Sequence, residues 1–88
     1  MTMHQEKVKL LIVDDDPGFT RILQHLILKG MEKINCEFDT SSAFSEAVSK
    51  LQNNFYDICL LDYRINNARG IELLSILRAE GISTPVIF

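Results

Sequence analysis

Four aspartates stand where apolar runs stop. Asp14, Asp15 and Asp16 follow directly on Val8 to Val13, and Asp62 closes the run Ile58 to Leu61. A short apolar run bounded by polar residues has the pattern of a strand buried on both faces. Both sets of carboxylates then fall at carboxyl ends of strands, where open α/β sheets carry their chemistry. If the two strands are neighbours, about 4.8 Å apart, Asp62 comes within roughly 5 Å of Asp14 or Asp15. Like charges at that distance repel by about 3 kcal/mol at an effective dielectric of 20. A small domain has only about 5–15 kcal/mol of net stability. Such a cluster must hold a cation, take up a proton or splay apart. Mg²⁺ suits an all-oxygen site with one or two carboxylates and retained waters. A carboxylate beside Mg²⁺ can accept a phosphoryl group, because the metal offsets the charge of the incoming oxygens.

Capping and solvation compete with that chemistry. Asp16 precedes Pro17 and reads as a helix cap. Asp14 and Asp15 are adjacent, so in regular strand geometry they point to opposite faces and one of them can be merely solvated. Asp57 lies at the amino end of its strand and reads as a surface or turn residue. His4 and His25 have no partner at ligand spacing. Arg64 and Arg69 flank Asp62 in the following loop, and both solvation and phosphate contact stay open for each.

The elements that must position these residues follow in order. Residues 1–7 are polar and aperiodic and read as a flexible lead-in, with one small domain over 8–88. Val8 to Val13 is the first strand. Phe19, Ile22, Leu23, Leu26 and Ile27 recur on one face of a first helix that starts at Pro17 and stops near Gly30. Ile34 to Phe38 alternates and predicts an edge strand. Thr40, Ser41 and Ser42 offer caps for a second helix with Phe44, Ala47, Val48 and Leu51 on its apolar face. A third strand spans about Tyr56 to Leu61. A third helix spans Gly70 to Ala79, with Ile71, Leu74 and Leu77 or Arg78 one turn apart and Leu73 and Ile76 broadening the face; Gly81 ends it. Thr84 to Phe88 begins a fourth strand. The βαβαβαβ order predicts an α/β fold, a parallel sheet with right-handed crossovers and helices on both faces.

Composition narrows the function classes. A hydrophobic content of 47% over 88 residues supports a packed core. A net charge of −3 offers no basic footprint for nucleic acid. No apolar run is long enough to span a membrane and no signal-peptide pattern is present. Cys36 and Cys59 fall in predicted strands without metal-ligand spacing and read as reduced core residues of a cytoplasmic protein.

At this point the residues resemble a known family. Leu-Leu-Ile-Val-Asp14-Asp15-Asp16-Pro17 before a helix is similar to the opening of the receiver domain of bacterial two-component response regulators. Leu-Leu-Asp62-Tyr-Arg-Ile-Asn-Asn-Ala-Arg-Gly70 resembles that family's phosphorylation strand and loop, and Thr-Pro-Val-Ile-Phe its fourth strand. The resemblance implies a flavodoxin-like doubly wound sheet of order 2-1-3-4. It implies a phosphoacceptor role for Asp62, direct Mg²⁺ ligation by Asp15, and ligation by Asp14 directly or through water. The backbone carbonyl of Arg64 would be the third protein ligand, and the Arg64 side chain occupies the position that tunes autodephosphorylation. A histidine kinase or phosphotransfer protein would be the partner. The chain would be a signalling switch rather than an enzyme, with at most self-phosphorylation from a donor and autodephosphorylation.

Two departures accompany the resemblance. Asn66 stands where the family commonly has Pro, which alters loop stiffness. The family pattern also continues beyond Phe88 with a switch hydroxyl, a fifth strand ending in Lys and two further helices. The expectation is therefore a C-terminally truncated receiver with an open fourth strand that invites self-association. A degenerate receiver acting only as a docking or dimerisation module is the competing reading. A haloacid-dehalogenase-like phosphatase is disfavoured, because Gly18 stands where that family needs Thr or Val.

Overall fold

The structure is a computed structural model that describes residues 7–30, 35–65 and 68–88. The elements are β1 (Lys7–Val13), α1 (Pro17–Gly30), β2 (Asn35–Ser41), α2 (Phe44–Asn53), β3 (Ile58–Leu61), β4 (Arg64–Ile65), β5 (Ala68–Arg69), α3 (Gly70–Ala79) and β6 (Val86–Ile87). Four strands form one parallel sheet in the order β2-β1-β3-β6, which is the expected 2-1-3-4 arrangement with β6 as the fourth strand. β4 and β5 form a separate antiparallel ribbon, where the sequence reads as an irregular loop.

Alternation along the central strands sorts their side chains to two faces. Leu11 and Val13 of β1 and Cys59 and Leu61 of β3 pack with Ala47 and Leu51 of α2 and Leu73 and Leu77 of α3. Leu10 and Ile12 are buried toward the other face, which carries α1. This makes β1 buried throughout its second half and explains its unbroken apolar run.

Helix α1 starts as expected. Asp16 Oδ1 accepts hydrogen bonds from the N–H groups of Gly18 at 3.0 Å and Phe19 at 3.2 Å, so two orphan donors of the first turn are satisfied. Its packing differs from expectation. The inward residues are Thr20, Leu23, Gln24 and Ile27, whereas Phe19, Ile22 and Leu26 are 51%, 61% and 59% exposed. The apolar stripe is wider than the face the sheet covers.

Other corrections are smaller. β1 begins one residue earlier than read, at Lys7. β2 runs on through Asp39 and Thr40 to Ser41, while Ile34, its expected first residue, lies outside the described residues. β3 begins at Ile58, although Tyr56 before it is buried. No side chain caps α2; Ala43 occupies the cap position, and Ser41 Oγ instead lies 3.0 Å from the Ala43 carbonyl and 2.7 Å from Glu46 Oε1. In α3 the core face is Leu73 and Leu77, and Ile71 and Ile76 are exposed. Gly81 has φ of +80°, the left-handed conformation that lets the chain turn off α3 toward β6. No helix among the described residues is long and apolar enough to cross a membrane.

Candidate functional site

The parallel pairing of β1 and β3 sets Val13 opposite Leu61. Pairing continues one step past both strands. The Asp62 N–H donates to the Val13 carbonyl at 2.9 Å, and the Asp14 N–H donates to the Ser41 carbonyl at 3.0 Å. These bonds hold both residues in register at the carboxyl edge of the sheet. Asp15 follows Asp14 in the turn that leads into α1.

Carboxylate oxygens of Asp14, Asp15 and Asp62 lie within 4.8 Å of one another. Asp14 and Asp62 are half-buried and Asp15 is exposed. Asp14 Oδ1 also accepts from the Asp16 N–H at 2.9 Å, which fixes its rotamer across the turn. Partial burial pushes the Asp14 carboxyl above its ordinary value, and repulsion from Asp62, Asp15 and Asp16 adds to this; the Asp16 N–H acts the other way. Ionising Asp14 is thus disfavoured in the absence of a counter-charge.

The donor set fits a small hard cation. Mg²⁺ takes carboxylate oxygens at about 2.1 Å and keeps several waters, which suits carboxylates gathered this closely. The other expected site residue, Arg64, sits on β4, two residues past Asp62, with its side chain exposed. The structure brings together the three carboxylates expected from the sequence. Asp16 stands apart as the helix cap. Asp57 proves to be a pairing residue: its N–H donates to the Lys9 carbonyl and its Oδ2 accepts from the Lys9 N–H, each at 2.8 Å.

Gly70 brings the end of the ribbon back against the acceptor strand. Its N–H donates to the Tyr63 carbonyl. A Cβ there would lie 3.2 Å from the Asp62 carbonyl oxygen and 2.6 Å from the ring of Phe88. The close approach of two backbones accounts for glycine at this position. On the α1 side, an apolar groove of about 380 Å³ opens beside Asp14 and Asp62, lined by Phe19, Leu23, Leu60 and Phe88 among others.

Comparison with known proteins agrees with this geometry. Residues 10–88 match the family model described as the response regulator receiver domain. The nisin biosynthesis regulatory protein NisR of Lactococcus lactis subsp. lactis is 34% identical over 80 residues, covering 91% of this chain and 33% of that protein. The response regulator PilR of Pseudomonas aeruginosa is 35% identical over 80 residues, covering 89% of this chain and 17% of PilR. Among solved structures, the receiver domain of the Francisella response regulator 1452 superposes with a TM-score of 0.67 at 30% identity, over 90% of this chain and 62% of that one. The MaeR response regulator bound to beryllium trifluoride gives a TM-score of 0.73 at 26% identity, over 91% and 64%. The chain spans about a third of the length of several of the curated relatives it matches. With the sheet order, the acid cluster and these similarities together, the chain belongs to the family of response regulator receiver domains.

Proposed function

We propose that Asp62 is the phosphoacceptor of a cytoplasmic two-component phosphorelay, supplied by a histidine kinase or a phosphotransfer protein. The observation that carries this reading is the convergence of the Asp14, Asp15 and Asp62 carboxylates at one strand edge. Asp14, Asp15 and Asp62 would hold Mg²⁺, with the backbone carbonyl of Arg64 as a further ligand. When bound, the cation offsets the negative charge shared by the carboxylates and the incoming phosphoryl oxygens.

The chain's own contribution is positional. The Asp62 N–H bond to Val13 fixes the nucleophile at the sheet edge, where the residue is half-buried. One Asp62 Oδ attacks phosphorus in line with the leaving group, forming an aspartyl phosphate without a proton transfer at Asp62. Asp14 and Asp15 do not react; they set the charge that the cation balances.

The test is the intact mass of the purified chain with and without a small phosphodonor and Mg²⁺, beside an Asp62→Asn control. One added phosphoryl group that requires Mg²⁺ and is absent from the control is the expected result. Absence of any adduct, with native circular dichroism, would sink the acceptor role and favour a docking module.

A further inference from the structure

The exposed apolar residues of α1 form a stripe rather than a scatter. Phe19, Ile22 and Leu26 recur at i, i+3 and i+7, with half-buried Leu23 beside them, so all four lie on one side of the helix. The stripe continues into the groove of about 380 Å³, whose walls include Phe19, Leu23, Leu60, Ile87 and Phe88. On α3 the exposed Ile71 and Ile76 stand about 140° apart round the helix and form no such line. Charge is sorted along α1 as well. Asp15 and Asp16 stand at its start, Lys29 lies in its last turn, and no acid lies between Pro17 and Gly30.

These features complement a second copy of themselves. In a two-fold pair, residue i faces j and residue j faces i, so antiparallel helices match positions whose numbers have a constant sum. An axis between Ile22 and Leu23 opposes Ile22 to the partner's Leu23 and Phe19 to the partner's Leu26. The same register opposes Asp16 to the partner's Lys29. Leu26 of the partner subunit then enters the groove beside Phe19. The opposed charges lie at the rim, where they fix orientation more than strength. A parallel pair would instead set Lys29 against the partner's Lys29. A half-exposed large side chain offers on the order of 100 Å². Phe19, Ile22, Leu26, Ile87 and Phe88 thus supply roughly 500 Å² per copy, or about 1,000 Å² for the pair, the lower limit for a specific interface.

We propose that α1 is a self-recognition surface. Two copies of this chain pair through antiparallel α1 helices centred on Ile22 and Leu23, with Asp16 and Lys29 matched at both ends. The pairing does not depend on the role of Asp62. An area at the lower limit makes the dimer weak and reversible. Asp16 and Lys29 also suit the dipole of their own helix. That account alone makes a different prediction: reversing the Lys29 charge lowers Tm and leaves association unchanged.

The experiment is cross-linking in a Cys36→Ser background, where the remaining Cys59 is buried. Ile22→Cys and Lys29→Cys are each treated with a short bis-maleimide at high micromolar concentration, and covalent dimer is read by intact mass. In the proposed register the two copies of position 22 are offset by about 1.5 Å along the helices, and those of position 29 by about 20 Å. Ile22→Cys is expected to give the dimer, and Lys29→Cys at least about ten-fold less. Sedimentation of Lys29→Glu should show a dissociation constant raised by about two- to ten-fold, since each dimer holds two rim pairs. Added salt should narrow that difference. Equal cross-linking at both positions would overturn the proposal in favour of a parallel pair. No cross-link from Ile22→Cys, or an unchanged dissociation constant for Lys29→Glu, would overturn it outright.

Discussion

The phenol of Tyr56 donates a 2.6 Å hydrogen bond to Asp39 Oδ2, joining the entry of β3 to the outer edge of β2. Asp39 Oδ1 also accepts from Lys50 Nζ at 3.1 Å and from the Thr40 N–H at 2.9 Å. Lys9 Nζ lies 4.9 Å from the centre of the Tyr56 ring. Three elements thus meet at one carboxylate. Partial burial pushes the Asp39 carboxyl up, but the hydrogen bonds from Tyr56, Lys50 and Thr40 together outweigh it and hold the group below its ordinary value of 3.8.

Tyr56→Phe therefore removes a charge-assisted hydrogen bond and leaves the ring in place. We expect a loss of about 1.5 kcal/mol in urea titrations at neutral pH. The pH dependence follows from the lowered value. A carboxyl depressed by folding contributes stability that is present above pH 3.8 and lost as pH falls through the lower folded value. Wild type should lose stability through that acid window, and the gap between wild type and Tyr56→Phe should narrow there. A gap that stays constant down to pH 2 would show that the bond does not depend on the Asp39 charge.

That long-range pair marks the limit of what the sequence discloses. The apolar runs before Asp14 and Asp62, and the Asp16–Pro17 helix start, are local signals, and each is realised where it was expected. The convergence of Asp14, Asp15 and Asp62 needed one further step, the adjacency of β1 and β3, which the residues left conditional and only the family resemblance implied. The extension of β2 was hidden because Asp39, Thr40 and Ser41 are polar, and their strand conformation is supported by Lys50 and Tyr56 from elsewhere in the chain. The β4–β5 ribbon has two residues per strand, too short for any periodicity to register. In α3 half the residues are Leu or Ile, so two helical faces satisfy the same spacing, and only the position of β3 and β6 selects Leu73 and Leu77.

Asp14→Asn should stabilise the metal-free protein. The substitution keeps the side-chain oxygen that accepts from Asp16 and removes one of the clustered charges. Relief of repulsion in this partly exposed site is worth about 1 kcal/mol. The same substitution weakens the cation site, so the rise in Tm with Mg²⁺ should be large for wild type and small for the variant. Thermal melts in chelator and in 10 mM MgCl₂ measure both effects. A variant less stable than wild type in chelator would show that repulsion is not the controlling term.

Gly81→Ala isolates a backbone effect. The residue has φ of +80°, and a Cβ there would meet nothing within 4 Å. Crowding therefore contributes nothing, and the left-handed conformation alone disfavours alanine by about 1–2 kcal/mol. Gly81→Asn, which tolerates this conformation better, should lose less. Chemical denaturation of the two variants orders them; equal losses would point to a rearranged turn between α3 and β6.

The two edges of the sheet are treated differently, and this leads to a prediction about association. At the β2 edge, Lys50 Nζ donates to the Thr40 carbonyl at 2.6 Å and sets a charge over an otherwise available acceptor. At the β6 edge, Ile87 and Phe88 are 52% and 53% exposed and line one groove with Phe19 of α1, and Ile22 and Leu26 of that helix are exposed as well. Burying one such side chain fully is worth about 1.5–3 kcal/mol, so a shared interface over a few of them competes with the entropy lost on association. The 88-residue chain should therefore self-associate at tens of micromolar, with a concentration-dependent sedimentation profile. Ile22→Lys places a charge on the α1 face, and Ile87→Lys places one at the strand edge. If pairing runs through β6, Ile87→Lys shifts the profile toward monomer more than Ile22→Lys does; if it runs through the helix face, the order reverses. A wild-type chain that sediments as a monomer across the whole range would show that the exposed side chains of α1 and β6 do not form an interface between copies.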